Sequence, residues 1–292
     1  MTDTLTLGPR PASARLRRFF RNPKGLLILV LGGLTAIAAL GDGPALVAPG
    51  LIAAVAVGML IDAPILRLRK GKWIFPDGAL LTGLIVAMIL SPQAPWHVAA
   101  FASAVGVASK YVLRVHTANI FNPAALGLFA AYLVFHSGQS WWGALPDLPP
   151  ASIEPAALAA LIATGLVVAD RVQRLPAAIS FLGVYYLLFT LTAFLGNPGS
   201  VAAIYRASDL HAAIFCAFFM VTDPPTSPAK DRHQVIFGAL VAVGGYAVFE
   251  STGAVYYLLA GLLVANAGEA WRRRQVHAAR HATGHRAPQR SP

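Results

Sequence analysis

Charge is what this sequence has least of: Asp, Glu, Lys and Arg make up 12% of its 292 residues. Soluble domains carry about 25%, and a supply this sparse cannot cover a surface that faces water. Acidic side chains are scarcer still, 12 against 23 Lys and Arg, which leaves a formal net charge of +11. Such an excess on a folded basic surface would point to nucleic acid. Here the basic residues stand in short clusters between apolar runs, which excludes that partner. Cysteine occurs once, as Cys216 inside an apolar run, so no intrachain disulfide and no cysteine framework for zinc or an iron–sulfur cluster is available. Cys216 reads as a small lipid- or core-facing hydrophobe. A phosphate-binding glycine loop is also missing, because Gly41-Asp42-Gly43 runs straight into Pro44. No polar stretch is long enough to fold as a catalytic domain. Oxidation of NADH would therefore belong to another chain, and neither a catalytic residue nor a metal site is expected here.

What is abundant is apolar: 57% of the residues are hydrophobic and the mean hydropathy is +0.62. The pattern is that of an all-α polytopic membrane protein, with apolar segments near 25–40, 46–66, 78–90, 96–113, 121–135, 156–172, 176–194, 211–221, 235–249 and 254–268. A basic stretch, 1–24, precedes the first segment, which has no cleavage site after it and reads as an uncleaved span. Lys and Arg in short loops stay on the cytoplasmic side. Ten crossings with both termini cytoplasmic put 22 of the 23 basic residues on that side and leave Arg206 outside. The expected location is the inner, cytoplasmic membrane, with the basic ends 1–24 and 269–292 against anionic lipid headgroups.

Sliding the chain on itself by about 132 positions superposes apolar segments and breaks: 25–40 falls on 157–172, 78–90 on 210–222, and Ser91-Pro92 on Asp223-Pro224. Five segments per half is an odd number, so the halves 25–135 and 156–268, joined by an external loop 136–155, would run in opposite senses as a 5+5 inverted repeat. Two segments in this scheme are too short to cross. Gly78–Leu90 and His211–Val221 cover about 16–20 Å at 1.5 Å per residue, and each ends at a proline. Carbonyls freed at such breaks cannot face lipid; they must be buried in protein or line a cavity.

Polar residues at these breaks are the candidates for a site. Thr222 and Asp223 stand at the second, Thr82 and Ser91 within and after the first short helix, and Asp77 is placed to cap it. Asn119 and Asn122 are one helical turn apart by spacing. Asn122 suits the cap of a helix opened by Pro123, which leaves the carboxamide of Asn119 spare as both donor and acceptor. Trp141 and Trp142 read as interfacial anchors or as a dock for an external redox partner. His97, His136 and His211 read as interfacial residues that snorkel or cap.

The strings ALLTGL at 79–84, Ser91-Pro92, Ala94-Pro95-Trp96 and FNPAALG at 121–127, followed by AFFMVTDP at 217–224, IFGAL at 236–240 and LLVAN at 262–266, closely resemble the RnfD membrane subunit of Rnf electron-transport complexes. The NqrB subunit of Na+-pumping NADH:quinone reductase is related and belongs to the same family. The resemblance implies a ten-helix, urea-transporter-like inverted repeat with two short interrupted helices. It also implies a flavin, electron transfer within or across the membrane coupled to Na+ or H+ movement, and other membrane subunits and redox proteins as partners. Flavin contacts would come from Asn119 and Asn122, with Thr82, Ser91, Thr222 and Asp223 lining the site between the broken helices. Family members generally attach FMN to a threonine in the external loop, whereas residues 136–155 contain none, with Ser137-Gly138 the nearest remnant. A non-covalent flavin, riboflavin or FMN, is the expectation that remains. The alternative is a solute channel or carrier on the same scaffold without redox chemistry.

Overall fold

The computed structural model describes residues 22–146, 148, 151–195, 199 and 205–284; the segment 1–21, with five of the basic residues counted above, and the end 285–292 lie outside them. Among the described residues there are ten α-helices: α1 (Pro23–Asp42), α2 (Pro44–Lys70), α3 (Asp77–Ile89), α4 (Trp96–Val112), α5 (Pro123–Phe135), α6 (Glu154–Arg171), α7 (Leu175–Leu195), α8 (Ala207–Phe215), α9 (Asp231–Thr252) and α10 (Tyr257–Gly284). Each helix falls on one of the ten apolar segments, α8 on the first part of 211–221 only. Between α4 and α5 lies a two-stranded hairpin, β1 (Arg114–Val115) and β2 (Ala118–Asn119). Among the described residues four helices are long and apolar enough to cross a membrane: α1, α2, α7 over Leu175–Thr192, and α9. The fold is that of a helical membrane protein.

Local chemistry explains the boundaries. Asn22 caps α1 by accepting from the Lys24 backbone N–H, and Pro23 occupies the first turn, where its missing donor is not needed. Gly43, at φ +95°, makes the sharp joint between α1 and α2, and Pro44 starts the second of them. α10 runs on past the apolar segment that defines it, so the tail as far as Gly284 is helical.

The short helices form the centre. Every residue from Leu81 to Leu90 in and after α3 is buried, and so is every residue from His211 to Thr222. Longer helices surround them and turn apolar side chains such as Ile52, Leu60, Leu133, Leu187 and Val264 outward, as a bilayer solvent requires. Close helix contact relies on small residues: a Cβ at Gly127 of α5 would come within 2.0 Å of the Ala102 carbonyl oxygen of α4. In the second half, a Cβ at Gly261 of α10 would meet the Val241 carbonyl of α9 at 2.5 Å. The packing order repeats as well: α2 packs on α4 and α4 on α5, as α7 packs on α9 and α9 on α10.

α8 ends in a way the sequence does not announce. It continues without a break into Cys216–Val221, which is wound as a π-helix and is taken below as the end of α8, with Cys216 buried inside it. Such wide turns are rare and concentrate at functional sites.

Candidate functional site

Charged side chains converge at one end of the bundle, the basic end. Lys24 reaches from α1 to Asp77 at the start of α3, 3.0 Å away. Asp77 is therefore the ion-paired first residue of α3 rather than its cap; Pro76 holds the cap position and makes no side-chain cap bond. Lys110, in the last turn of α4, donates to the Gly78 carbonyl at 2.7 Å. Tyr111 donates to the buried Asp62 of α2. On the other side, Arg174 bonds Ser227 Oγ at 3.0 Å, while Arg273 donates to the carbonyls of Pro225 and Ser227 at 2.7 and 2.8 Å. Together they clamp the loop that follows α8. Glu269, buried beneath that clamp, takes both Arg272 and Arg273. Burial pushes its carboxyl up, but the hydrogen bonds from the two guanidinium groups outweigh this and hold it below the usual carboxylate range.

Within the basic end lies a cavity of about 430 Å³, walled by α1, α3, α4, the hairpin, α6 and the end of α8. This is within the roughly 300–1,000 Å³ typical of small-molecule sites. Five of the six residues singled out from sequence line it: Thr82, Asn119, Asn122, Thr222 and Asp223. Their hydrogen bonds divide them. Asn122 caps α5 through Ala125 N–H (3.1 Å), donates to the Met220 carbonyl (3.2 Å) and through its own N–H bonds Asn266 Oδ1 (2.8 Å). Its carboxamide thus adds a donor to a carbonyl at the end of the broken helix, which the Asp223 N–H also reaches at 3.3 Å; such carbonyls cannot face lipid. The Thr82 and Thr222 hydroxyls donate to carbonyls in their own helices, at Gly78 and Phe218. Asp223 holds its turn, accepting from the Thr226 hydroxyl at 2.8 Å. Asn119 sits on β2, not one helical turn before Asn122, and its carboxamide makes no hydrogen bond among the described residues.

Ser91 is not in the cavity. It lies two residues beyond Ile89, the far end of α3, and its hydroxyl bonds Gln93 at 2.6 Å. A helix of 13 residues is about 20 Å long, so one end of α3 meets the cavity and the other cannot. The end of α8 therefore faces the start of α3, not its break. That opposite break is filled by the loop after α5. Trp142 Nε1 donates to the Ala87 carbonyl at 2.6 Å, the N–H groups of Ser140 and Trp141 both reach the Ile89 carbonyl, and Ser91 N–H bonds Gly138 O. Trp141 and Trp142 are buried, so they are plug residues and not interfacial anchors. His211 does not snorkel: it is fully buried, with Nδ1 2.6 Å from the Ala144 carbonyl of the same loop.

Sequence reading misses two cavity residues of consequence, Lys24 and Lys110, because it counts both as loop charges. Lys110 is nevertheless visible there, because it lies inside the apolar segment 96–113, where an ionisable residue is costly unless it has a task.

A helical bundle of membrane type, with a ligand-sized cavity at the break of a buried helix, defines a class: helical membrane proteins with several spans. Comparison with known proteins narrows it, since the profile of the NQR2, RnfD, RnfE family matches residues 24–149 and 135–267, and the chain belongs to that family. It is similar to the RnfD subunit of the ion-translocating oxidoreductase complex of Pseudomonas paraeruginosa, with 30% identity over 82% of this chain and 86% of that protein. The subunit of the same name from Pseudomonas aeruginosa matches at the same identity and the same shares, and that of Tolumonas auensis is 24% identical over 64% of this chain and 74% of its own.

Proposed function

We propose that this chain is a flavin-carrying membrane subunit of an Rnf-type electron-transport system, passing electrons within or across the membrane and coupled there to ion translocation. One observation carries the proposal: the cavity at the basic end gathers Asn119 and Asn122 beside the broken end of α8, in a chain whose relatives are named as oxidoreductase subunits. The residues suit a flavin. The volume accommodates a fused-ring ligand, Phe218 and Phe219 offer an apolar wall, and Asn119 keeps a donor and an acceptor for the uracil-like edge of the ring. The flavin is held without a covalent bond, since residues 136–155 contain no threonine. When bound, it supplies the capacity to take up and release electrons singly or in pairs; the protein supplies position and electrostatics.

The scaffold for this is a ten-crossing 5+5 inverted repeat with both ends on the cytoplasmic side, so that the cavity opens toward the cytoplasm. Recurrence of the helix-packing order in the two halves supports it, as does the gathering of basic side chains at one end. Other membrane subunits and soluble redox proteins are the partners, and anionic lipid flanks the basic ends. A solute channel is disfavoured by the plug of Trp141 and Trp142 at the opposite end.

The test is the absorption spectrum of detergent-purified protein before and after acid precipitation. Flavin in the supernatant is the expected result. Flavin in the pellet would mean covalent attachment, and a colourless protein that does not take up added riboflavin would favour a solute carrier.

A further inference from the structure

We infer that Lys110 is the group that sets the charge of the cavity and makes it favour a flavin carrying the negative charge of an added electron over its neutral oxidised form. The inference rests on the flavin reading above. Two ammonium groups line the cavity, Lys24 and Lys110, and they are not equivalent. Lys24 is neutralised by Asp77 at 3.0 Å. Lys110 reaches across from α4 to α3, where its Nζ is fixed on the Gly78 carbonyl at 2.7 Å, and among the described residues it forms no ion pair. An ammonium has three donors, and one is committed to Gly78.

The Thr82 hydroxyl donates to the same carbonyl at 2.9 Å, so the anchor point is shared with a second cavity residue. The carboxylate that also lines the wall, Asp223, is engaged by Thr226, and the turn it opens is clamped by Arg273 through Pro225 and Ser227. Asp62 is taken by Tyr111. Lys110 is thus the cavity-lining cation held by a neutral carbonyl rather than by a carboxylate, and Asp223, held by a neutral hydroxyl, is among the described residues the one acidic group on the wall it acts against. Away from water a fixed charge acts strongly on a neighbour a few ångströms away. A ligand that gains an electron is stabilised by it, and a neutral one much less. No bond forms or breaks at Lys110; the electron comes from the external reductant.

The decisive experiment is a dithionite titration of the full-length, detergent-solubilised protein loaded with riboflavin, alongside the dissociation constant for oxidised riboflavin. Lys110→Gln keeps a donor for the Gly78 carbonyl while removing the charge, Lys110→Met removes both, and Lys110→Arg keeps the charge. In the two neutral variants the preference for reduced over oxidised riboflavin is expected to fall about tenfold, which is about 59 mV for a one-electron couple. Affinity for the oxidised form should change by less than about threefold, a split that loss of packing would not produce because it weakens both forms alike. Lys110→Arg should stay near wild type. If the wild type binds riboflavin and the neutral variants titrate with it, Lys110 has no such role while the flavin reading stands. If the wild type binds no riboflavin at all, both fall. Melting temperatures identify any misfolded variant, and the glutamine form serves if methionine is not tolerated.

Discussion

The two short helices end alike in sequence and differently in space. Each is an apolar run stopped by a proline, Ile89 before Ser91-Pro92 and Val221 before Asp223-Pro224. At the end of α3 the freed carbonyls of Ala87 and Ile89 are taken by an aromatic loop that fills the break. At the end of α8 the Met220 carbonyl is shared by the Asp223 N–H and the Asn122 carboxamide, and the Phe218 carbonyl accepts from Thr222 of the helix itself, which leaves room for a ligand. A broken helix therefore does not by itself make a binding site. What decides is whether the groups that satisfy it come with bulk.

The comparison can be broken most severely at the plug. Trp142→Ala removes both a buried ring and the bond to Ala87, and large-to-small changes of this kind cost roughly 3–5 kcal/mol; the expected result is a large drop in melting temperature in detergent. Next comes Asn122→Ala, which removes a helix cap worth about 1 kcal/mol and one of the donors on the Met220 carbonyl, which keeps the Asp223 N–H at 3.3 Å, for a further loss of about 0.5–1.5 kcal/mol. Its melting temperature and its flavin content should fall together. Asn119→Ala separates the two: with no intramolecular bond to lose, it should leave the melting temperature unchanged and weaken riboflavin binding about fivefold to tenfold, roughly one hydrogen bond. Ser91→Ala, at the opposite end, should change riboflavin affinity by less than about twofold and stability by less than about 0.5 kcal/mol. An effect on flavin as large as that of Asn119→Ala would mean that the two breaks communicate.

The smallest effect concerns the clamp on the α8 loop. Because Glu269 titrates below its unfolded value, its contribution is fully present above about pH 4.3 and is lost as pH falls through the lowered folded value. Protection factors for hydrogen exchange at the start of the tail, Ala270 to Val276, taken relative to the intrinsic exchange rate at each pH, should fall on acidification. Glu269→Gln should flatten that dependence.

The ten helices are legible in the sequence because apolar run length and proline are one-dimensional signals. Asn122 as a cap is legible from Pro123 beside it. The cavity-lining group is legible because residues at breaks and caps carry the polar atoms of such a fold. Ser91 is misplaced for a geometrical reason: sliding the sequence on itself pairs it with Asp223, and pairing in sequence does not mean meeting in space when the two short helices lie with start against end. The plug could not be read, since the burial of Trp141 and Trp142 depends on a loop folding inward against carbonyls about 50 residues earlier. The π-turn leaves no residue signature in CAFFMV.

The tail offers a practical consequence. His277 of α10 stacks on His116, ring centres 3.8 Å apart, at the tip of the hairpin whose second strand carries Asn119. The helical tail and the hairpin that carries a cavity residue are joined through that ring contact. A bulky affinity handle or fluorescent reporter at the carboxyl end lies on the side of that contact, so spectra of such fusions should be read beside those of protein tagged at the amino end.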